Sequence, residues 1–202
     1  MQAFHLLGSA PFYTNSFLLI TDAGHAVVID PAADVQDYDK ILKEHNATLT
    51  TIFCTHGHYD HVGSAGVLSR EWKAKLYCEP ADCKGVQLFP LKSSDSGYAE
   101  GEEISVDELT FKVWHTPGHT EGGVVLLCGK EHLFVGDTIF QGSIGRTDLE
   151  GGDSRVMDES LRKIAALPIP RDAQLLPGHG DFSTFGEELD NNFYIRHALK
   201  NV

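Results

Sequence analysis

The sequence predicts an α/β fold in which two β-sheets pack face to face and helices cover both outer faces. Two observations predict it. The apolar, β-rich segments fall into two blocks along the chain, and each block is followed by amphipathic helical segments. A chain of 202 residues is long enough for one sizeable core, so we expect one domain, residues 1–202.

The first block opens with a predicted β-hairpin. Residues Asn15–Thr21 and Ala26–Asp30 are apolar and β-rich, and a short turn joins them. Apolar residues at helical spacing then predict an amphipathic helix over Asp34–His45, packed on the sheet. The block continues with a buried strand at Leu49–Cys54, a helix at Ser64–Trp72 and a short strand at Lys75–Cys78.

The second block follows an irregular segment. Glycine, proline and serine between Pro80 and Glu100 favour a loop with at most one short helix. Turn signals then separate four predicted strands, namely Glu103–Val106, Leu109–Thr116, Val124–Cys128 and His132–Val135. After them we predict a long loop at Thr138–Asp153, a helix capped by Ser154 and running to Leu167, a last short strand at Gln174–Leu176, and a helical tail from Phe185.

Charge and composition restrict the partners. With 16 basic and 29 acidic residues the net charge is −13, which disfavours binding to nucleic acid and to anionic membranes. No apolar run approaches the roughly 18 residues of a membrane span. The N-terminus lacks the basic segment of a secretory signal, so we expect a cytoplasmic protein acting on a small molecule. The four cysteines lack zinc-ribbon spacing and are expected to be reduced thiols.

One stretch carries most of the chemistry. Residues Thr55–Gly63 read THGHYDHVG and place His56, His58, Asp60 and His61 within six positions. Imidazole nitrogen and carboxylate oxygen both bind zinc and similar transition metals. Residues two apart in extended backbone point the same way, so His56 and His58 can hold one ion. Asp60 and His61 follow after a turn and can face a second ion.

Three distal residues can complete two sites. His119 in TPGHT, Asp137 in VGDT and His179 in PGHGD lie next to glycines at the ends of predicted strands. Loops just beyond strand ends are where active sites concentrate. His119 would complete the first site and His179 the second, with Asp137 bridging. Three or four protein ligands on each ion leave room for a water molecule, which is typical of a catalytic rather than a structural site.

These motifs together resemble a known family. THGHYDH, HTPGHT, VGDT and PGHGD, in this order, are similar to the motifs of the metallo-β-lactamase superfamily. The resemblance implies a four-layer αββα sandwich of two mixed β-sheets with a dinuclear site at one edge. By position, His56, His58 and His119 would hold the first metal. The second would be held by Asp60, His61 and His179, and Asp137 would bridge the two.

A second stretch narrows the resemblance. Residues Gly142–Asp153, GSIGRTDLEGGD, are similar to short, single-domain glyoxalase II-like hydrolases and to persulfide dioxygenases. Arg146 and Tyr59 are the candidate substrate contacts; alternatively, Arg146 forms a structural salt bridge with Asp148. Phe140 is expected to pack in the core. We expect no C-terminal glutathione-binding helical domain.

The resemblance favours a metal-dependent hydrolase that cleaves a thioester such as S-lactoylglutathione. Two divalent ions, expected to be zinc with iron or manganese as alternatives, would lower the pKa of a bridging water. The resulting hydroxide would attack the thioester carbonyl. Asp60 would be the catalytic residue that orients it while binding the second ion.

Three other functions remain open. A persulfide dioxygenase would use one iron held by His56, His119 and Asp137. The dioxygenases resemble Pro-Ala-His-Asp-Tyr where this chain has PGHGD, so this motif favours the hydrolase. A lactonase or β-lactamase is a further alternative. A metal-binding protein without catalytic activity is the fourth.

Overall fold

The computed structural model describes residues 1–200, and these form two mixed β-sheets with six helices. The first sheet has the order β1-β2-β3-β4-β5, from strands Gln2–Leu7, Asn15–Ile20, His25–Ile29, Thr48–Phe53 and Lys75–Tyr77. The second has the order β13-β12-β9-β8-β7-β6, from Ser183–Thr184, Gln174–Pro177, His132–Gly136, Val124–Cys128, Leu109–His115 and Glu103–Val106. A small hairpin pairs β10 (Ile139–Phe140) with β11 (Ser143–Ile144). The helices are α1 (Val35–Glu44), α2 (Tyr59–Val62), α3 (Ala65–Trp72), α4 (Ser154–Ala166), α5 (Phe185–Asn191) and α6 (Phe193–Lys200).

Three apolar layers hold these elements together. Side chains alternate along a strand, and in β2 Phe17 and Leu19 point into the layer between the two sheets. Leu18 and Ile20 point the other way, into the layer under α1 and α3. A third layer lies between the second sheet and helices α4, α5 and α6. Both faces of both sheets are therefore covered, and the predicted four-layer sandwich is confirmed.

The main predicted elements are present with small shifts at their ends. The hairpin of β2 and β3 is antiparallel, and the segment between Tyr77 and Glu103 contains one short 3-10 helix, Pro80–Asp82. One prediction was wrong in detail: the side chain of Asp153, not Ser154, caps α4 by accepting from two backbone N–H groups. No helix among residues 1–200 is both long and apolar enough to cross a bilayer.

Several short elements were not predicted. Strand β1, the single turn α2 and the two-residue strands β10, β11 and β13 are absent from the sequence prediction. Gln174–Pro177 is consequently not the last strand. The helical tail is divided at Asn192, which ends α5 and donates to the backbone carbonyls of Phe140 and Ser143.

Strand ends from both sheets meet at one edge of the sandwich. Strand β4 ends at Phe53, just before the histidine-rich stretch. Its counterparts in the second sheet, β9 and β12, run parallel to each other and end at Gly136 and Pro177. The candidate residues Asp137 and His179 follow directly. This edge is therefore where the predicted ligands are brought together.

The cysteines give a prediction that tests the packing of the core. All four are free, and Cys54, Cys78 and Cys128 are buried. Burial raises the pKa of Cys128 to about 12, and hydrogen bonding to Cys78 together with burial raises that of Cys83. Since the thiolate is the reactive form, we expect none of the four to react with Ellman's reagent within minutes at pH 8. All four should react in guanidinium chloride. Rapid labelling of any native thiol would contradict this packing.

Candidate metal centre

The histidine-rich stretch leaves β4 as a loop and then forms the single turn α2. His58 is the residue that precedes the first turn of α2, with extended backbone angles. His56, His58 and His61 are buried, and Asp60 is partly buried. The backbone changes from extended to helical between His58 and Asp60. As a result, the side chains of His56 and His58 point to one cluster and those of Asp60 and His61 to another.

The first cluster consists of His56, His58 and His119. The Nδ1 atom of His58 lies 3.1 Å from Nε2 of His56 and 2.9 Å from Nε2 of His119. His119 comes from the loop after β7 in the second sheet, so this cluster joins the two sheets. Three nitrogens bound tetrahedrally to one zinc ion would lie about 3.4 Å apart. The observed separations are close to that value.

The second cluster consists of Asp60, His61 and His179. Nε2 of His179 lies 3.3 Å from Nε2 of His61 and 3.3 Å from Oδ2 of Asp60. Oδ2 of Asp60 is 3.7 Å from Nε2 of His61. His179 follows β12 of the second sheet, so this cluster also draws on both sheets.

Asp137 lies between the two clusters. Its Oδ1 is 3.3 Å from Nε2 of His61. Its Oδ2 is 3.3 Å from Nε2 of His119 and 3.5 Å from Nε2 of His179. The carboxylate therefore faces both groups of nitrogens, which is the position that a bridging ligand needs.

The protonation pattern of the histidines fits metal binding. Nδ1 of His119 donates to the carbonyl oxygen of Arg146 at 2.7 Å, and Nδ1 of His179 donates to that of Phe12 at 3.1 Å. In a neutral imidazole the other nitrogen, Nε2, then carries a lone pair, and in both residues it points into the cluster. Oδ1 of the buried Asp137 has no hydrogen-bond partner. Convergent lone pairs and an unpartnered carboxylate oxygen suit a cation.

The electrostatics agree with this interpretation. Burial, and then the neighbouring His119, lower the pKa of His58 to about 4, so its imidazole is neutral at pH 7. Burial alone would raise the pKa of Asp60, but hydrogen bonds from His179 and Thr14 and the charge of His61 lower it. Burial lowers the pKa of His61 and of His179, but the neighbouring carboxylates raise both pKa values above the usual range. The first cluster thus offers a neutral nitrogen donor, and the second cluster favours positive charge beside an ionised carboxylate, which suits a cation.

Sequence reasoning missed Asp30, which supports His61. Oδ2 of Asp30 accepts from Nδ1 of His61 at 3.0 Å, and Thr55 donates to both carboxylate oxygens at 2.6 Å. Asp30 is also near enough to His56 and His61 to join a cluster of possible ligands. Because its oxygens already accept three hydrogen bonds, we interpret it as a residue that orients His61. In the sequence, the only sign of a special role for Asp30 is its position between the end of β3 and Pro31.

Asp82 was missed as well. Its side chain is fully buried and accepts from the backbone N–H of Gly57 at 2.9 Å and of Gly122 at 3.0 Å, and from the hydroxyl of Thr120 at 2.8 Å. Gly57 lies between His56 and His58, and Thr120 follows His119. One carboxylate therefore joins the two loops that supply the first cluster.

The second cluster leaves no room for a side chain at position 178, which is a glycine. A Cβ atom on Gly178 would collide with Oδ1 of Asp137 and with the ring of His61. The backbone of the PGHGD segment consequently packs directly against two candidate ligands. The glycine-flanked context that marked His179 in the sequence corresponds to this close approach.

Both clusters open into a cleft of about 560 Å³. Tyr59 and Arg146, the candidate substrate contacts, both line it. Arg146 also forms a salt bridge with Asp148, at 2.7 and 2.8 Å, which was the alternative role predicted for it. Phe140 was expected in the core, but it lies in the small hairpin of β10 and β11, where it is half-buried and lines the cleft. No cysteine lines the cleft among residues 1–200.

Comparisons with known proteins agree with this geometry. A family model described as the metallo-β-lactamase superfamily matches residues 10–179. The hydroxyacylglutathione hydrolase GloC of Haemophilus influenzae is 31% identical, over 91% of this chain and 93% of that protein.

Two solved structures extend the comparison. The BLEG-1 B3 metallo-β-lactamase matches with a TM-score of 0.85 at 30% identity, covering 96% of this chain and 99% of that chain. ETHE1 from Myxococcus xanthus matches with a TM-score of 0.83 at 27% identity, covering 100% of this chain and 91% of that chain. These similarities extend over nearly the whole fold.

Proposed function

Since this chain belongs to the metallo-β-lactamase superfamily, we propose that it is a dinuclear metallohydrolase that cleaves thioesters. The observation that carries the proposal is the pair of ligand clusters joined by Asp137 at the floor of an open cleft. The similarity to a hydroxyacylglutathione hydrolase supports the choice of thioesters. Zinc is the proposed metal because it suits histidine and carboxylate ligands together.

In this proposal the two ligand clusters each bind one metal ion, and the residue between them binds both. His56, His58 and His119 hold the first ion, Asp60, His61 and His179 hold the second, and Asp137 holds both. When bound, the ions supply an activated water at neutral pH and polarise a carbonyl oxygen. All other steps depend on groups of the protein and the substrate.

Asp60 is the proposed catalytic residue. The Thr14 hydroxyl donates to its Oδ2 at 2.9 Å, which restrains the position of that oxygen. The lowered pKa keeps Asp60 ionised, so an oxygen of its carboxylate can accept a hydrogen bond from the attacking water. Asp60 thereby orients the lone pair of the water toward the substrate carbonyl.

The chemistry balances without a protein nucleophile. The water oxygen forms a bond to the carbonyl carbon, the carbon–sulfur bond breaks, and the products are a carboxylic acid and a thiol. A thiol has a pKa near 8.5, so the sulfur can leave as the thiolate without a dedicated general acid. The absence of cysteine among the described cleft residues is consistent with this route.

The similarity to ETHE1 supports a second candidate, an iron-dependent persulfide dioxygenase. It would need His56, His119 and Asp137 alone. The hydrolase is preferred because Asp60, His61 and His179 form a second complete group of possible ligands, which a single iron would leave unused.

One experiment separates the candidates. We expect the metal-loaded protein to contain two ions per chain and to hydrolyse S-lactoylglutathione or a neutral acyl thioester. Removal of the metal by EDTA should lower the rate by roughly 100-fold or more, and added zinc should restore it. Elemental analysis and release of free thiol are the measurements.

Parallel assays test the alternatives. Oxygen consumption with glutathione persulfide, without thioester cleavage, would replace the proposal by the dioxygenase. Hydrolysis of nitrocefin or of a homoserine lactone, in preference to every thioester, would replace it by the β-lactamase or lactonase. Two bound ions with none of these reactions would favour a metal-binding protein without catalytic activity.

A further inference from the structure

The cleft above the metal clusters has mostly apolar walls. Seven of the fourteen residues that line the cleft have apolar or aromatic side chains, namely Pro11, Phe12, Tyr59, Leu88, Phe140, Ile144 and Leu149. The candidate metal ligands His58, Asp60, His119, Asp137 and His179 line the same cleft. A substrate whose carbonyl reaches these ligands must place the groups on either side of it against the apolar walls.

The mouth of the cleft exposes aromatic rings that are held in place. Phe12 and Tyr59 are in edge contact, with ring centroids 5.4 Å apart, and they are 45% and 39% exposed. The backbone carbonyl of Phe12 accepts from His179, and the backbone N–H of Tyr59 donates to the carbonyl of Leu88 at 3.0 Å. Fixed, exposed aromatic surface gains free energy when an apolar group covers it.

Bound metal ions would bring positive charge to the floor of the cleft, but its walls away from the two clusters have no unpaired cationic side chain among residues 1–200. Among the described residues that line it, Arg146 is the only side chain with a permanent positive charge. Both of its hydrogen bonds to Asp148 are short, and the guanidinium lowers the pKa of Asp148 to about 2, so the pair is neutral as a whole near pH 7. Nearby Lys84 is paired with Glu150 at 3.2 Å. The net charge of the chain, −13, adds a repulsive field for anions.

We propose that this cleft selects thioesters with an apolar acyl chain on an uncharged thiol, and that Asp148 disfavours anionic thiols by neutralising Arg146. The inference rests on the thioesterase function proposed above. If it is correct, no side chain that lines the cleft binds the carboxylates of glutathione. Apolar contact with the walls supplies the substrate affinity instead.

A substrate series tests the apolar part. With N-acetylcysteamine thioesters of two to eight acyl carbons, kcat/KM should rise about fourfold per methylene until the walls are covered, as expected when a methylene leaves water. Phe12→Ala should lower kcat/KM for the octanoyl substrate about tenfold more than for the acetyl substrate. Phe193→Ala is the matched control: it removes an exposed phenylalanine of α6, outside the cleft, and should leave that ratio unchanged.

A second comparison tests the role of charge. The diethyl ester of S-lactoylglutathione should have a lower KM than the free acid. In Asp148→Asn the freed Arg146 should lower KM for the free acid about fivefold, and 0.5 M salt should remove most of that gain. Asp190→Asn breaks the exposed pair with Arg171, outside the cleft, and should not change the ratio of the two KM values.

Binding of an uncleavable probe separates this inference from the proposed function. Calorimetry with S-hexyl-N-acetylcysteamine, a thioether, should show binding at least tenfold tighter than S-methyl-N-acetylcysteamine, with a negative heat-capacity change. If no thioester is cleaved but this difference is found, the proposed function is wrong and the apolar selectivity stands. If thioesters are cleaved with a flat chain-length profile, or with the free acid preferred to its diester, this inference is wrong and the thioesterase stands.

Discussion

Asp137→Ala is expected to lose most of the bound metal and most of the activity. Asp137 is the only one of the seven candidate ligands whose two oxygens face both clusters, at 3.3 Å from His61 and 3.3 Å from His119. Without it, each cluster keeps three ligands but the anionic group between them is missing. We expect metal affinity to fall about 100-fold or more, beyond the roughly 10–100-fold typical of supporting residues. Metal titration by calorimetry and thiol release measure the two effects.

The comparison variants are Asp137→Asn and Asp190→Ala. The amide keeps the size of the side chain but removes its charge, so it should also lose metal, which would show that charge rather than shape is required. Asp190 is exposed, and its removal should leave both metal content and turnover at the level of the unmodified protein. An Asp137→Ala protein with two ions and full turnover would overturn the assignment.

Asp82→Ala is expected to have the largest effect on stability. The substitution leaves three buried donors without their acceptor: the N–H groups of Gly57 and Gly122 and the hydroxyl of Thr120. Each buried donor left unpaired costs about 1–3 kcal/mol, so the free energy of unfolding should fall by roughly 3–5 kcal/mol when part of this cost is relieved by local relaxation. For a chain of this length, the melting temperature should fall by about 10 °C. Thermal unfolding of the metal-free protein measures this effect.

The same variant should bind metal more weakly, because Asp82 joins the loops that carry His56, His58 and His119. Asp82→Asn retains one acceptor oxygen. Its melting temperature and its metal affinity should both lie between those of the unmodified protein and those of Asp82→Ala. Asp190→Ala, which removes an exposed carboxylate, should change the free energy of unfolding by less than about 1 kcal/mol. Unchanged stability of Asp82→Ala would show that its three partners find other acceptors, and would remove Asp82 from the support of the site.

The sequence predicted the layers of the fold because they depend on local patterns, and the residues it proposed as metal ligands lie close together in the structure. Apolar runs and turn signals mark β2, β4 and β8. Every residue of β2 and β8 is buried, and so are four of the six residues of β4. The metal-binding residue types are distinctive and lie beside glycines. Packing of the two sheets then brings the ends of β4, β9 and β12, which are distant along the chain, to one edge of the sandwich.

The supporting residues could not be predicted in this way. Asp82 and Gly122 are 40 positions apart, and Thr14 and Asp60 are 46 apart. An aspartate in a turn is common whatever it contacts, so nothing local distinguishes Asp82 from an exposed turn residue. The same holds for Phe140, whose exposure depends on a hairpin with two-residue strands that carries no periodic signal.

Both ligand clusters draw residues from both sheets, and this couples metal occupancy to the cohesion of the fold. By mass action, an ion bound only by the native protein raises the free energy of unfolding by RT ln(1 + [metal]/Kd). The ligands of each cluster come from both sheets. Binding of a metal ion to a cluster would therefore oppose separation of the two sheets. Removal of the metal should therefore weaken the contact between the two sheets as well as the proposed activity.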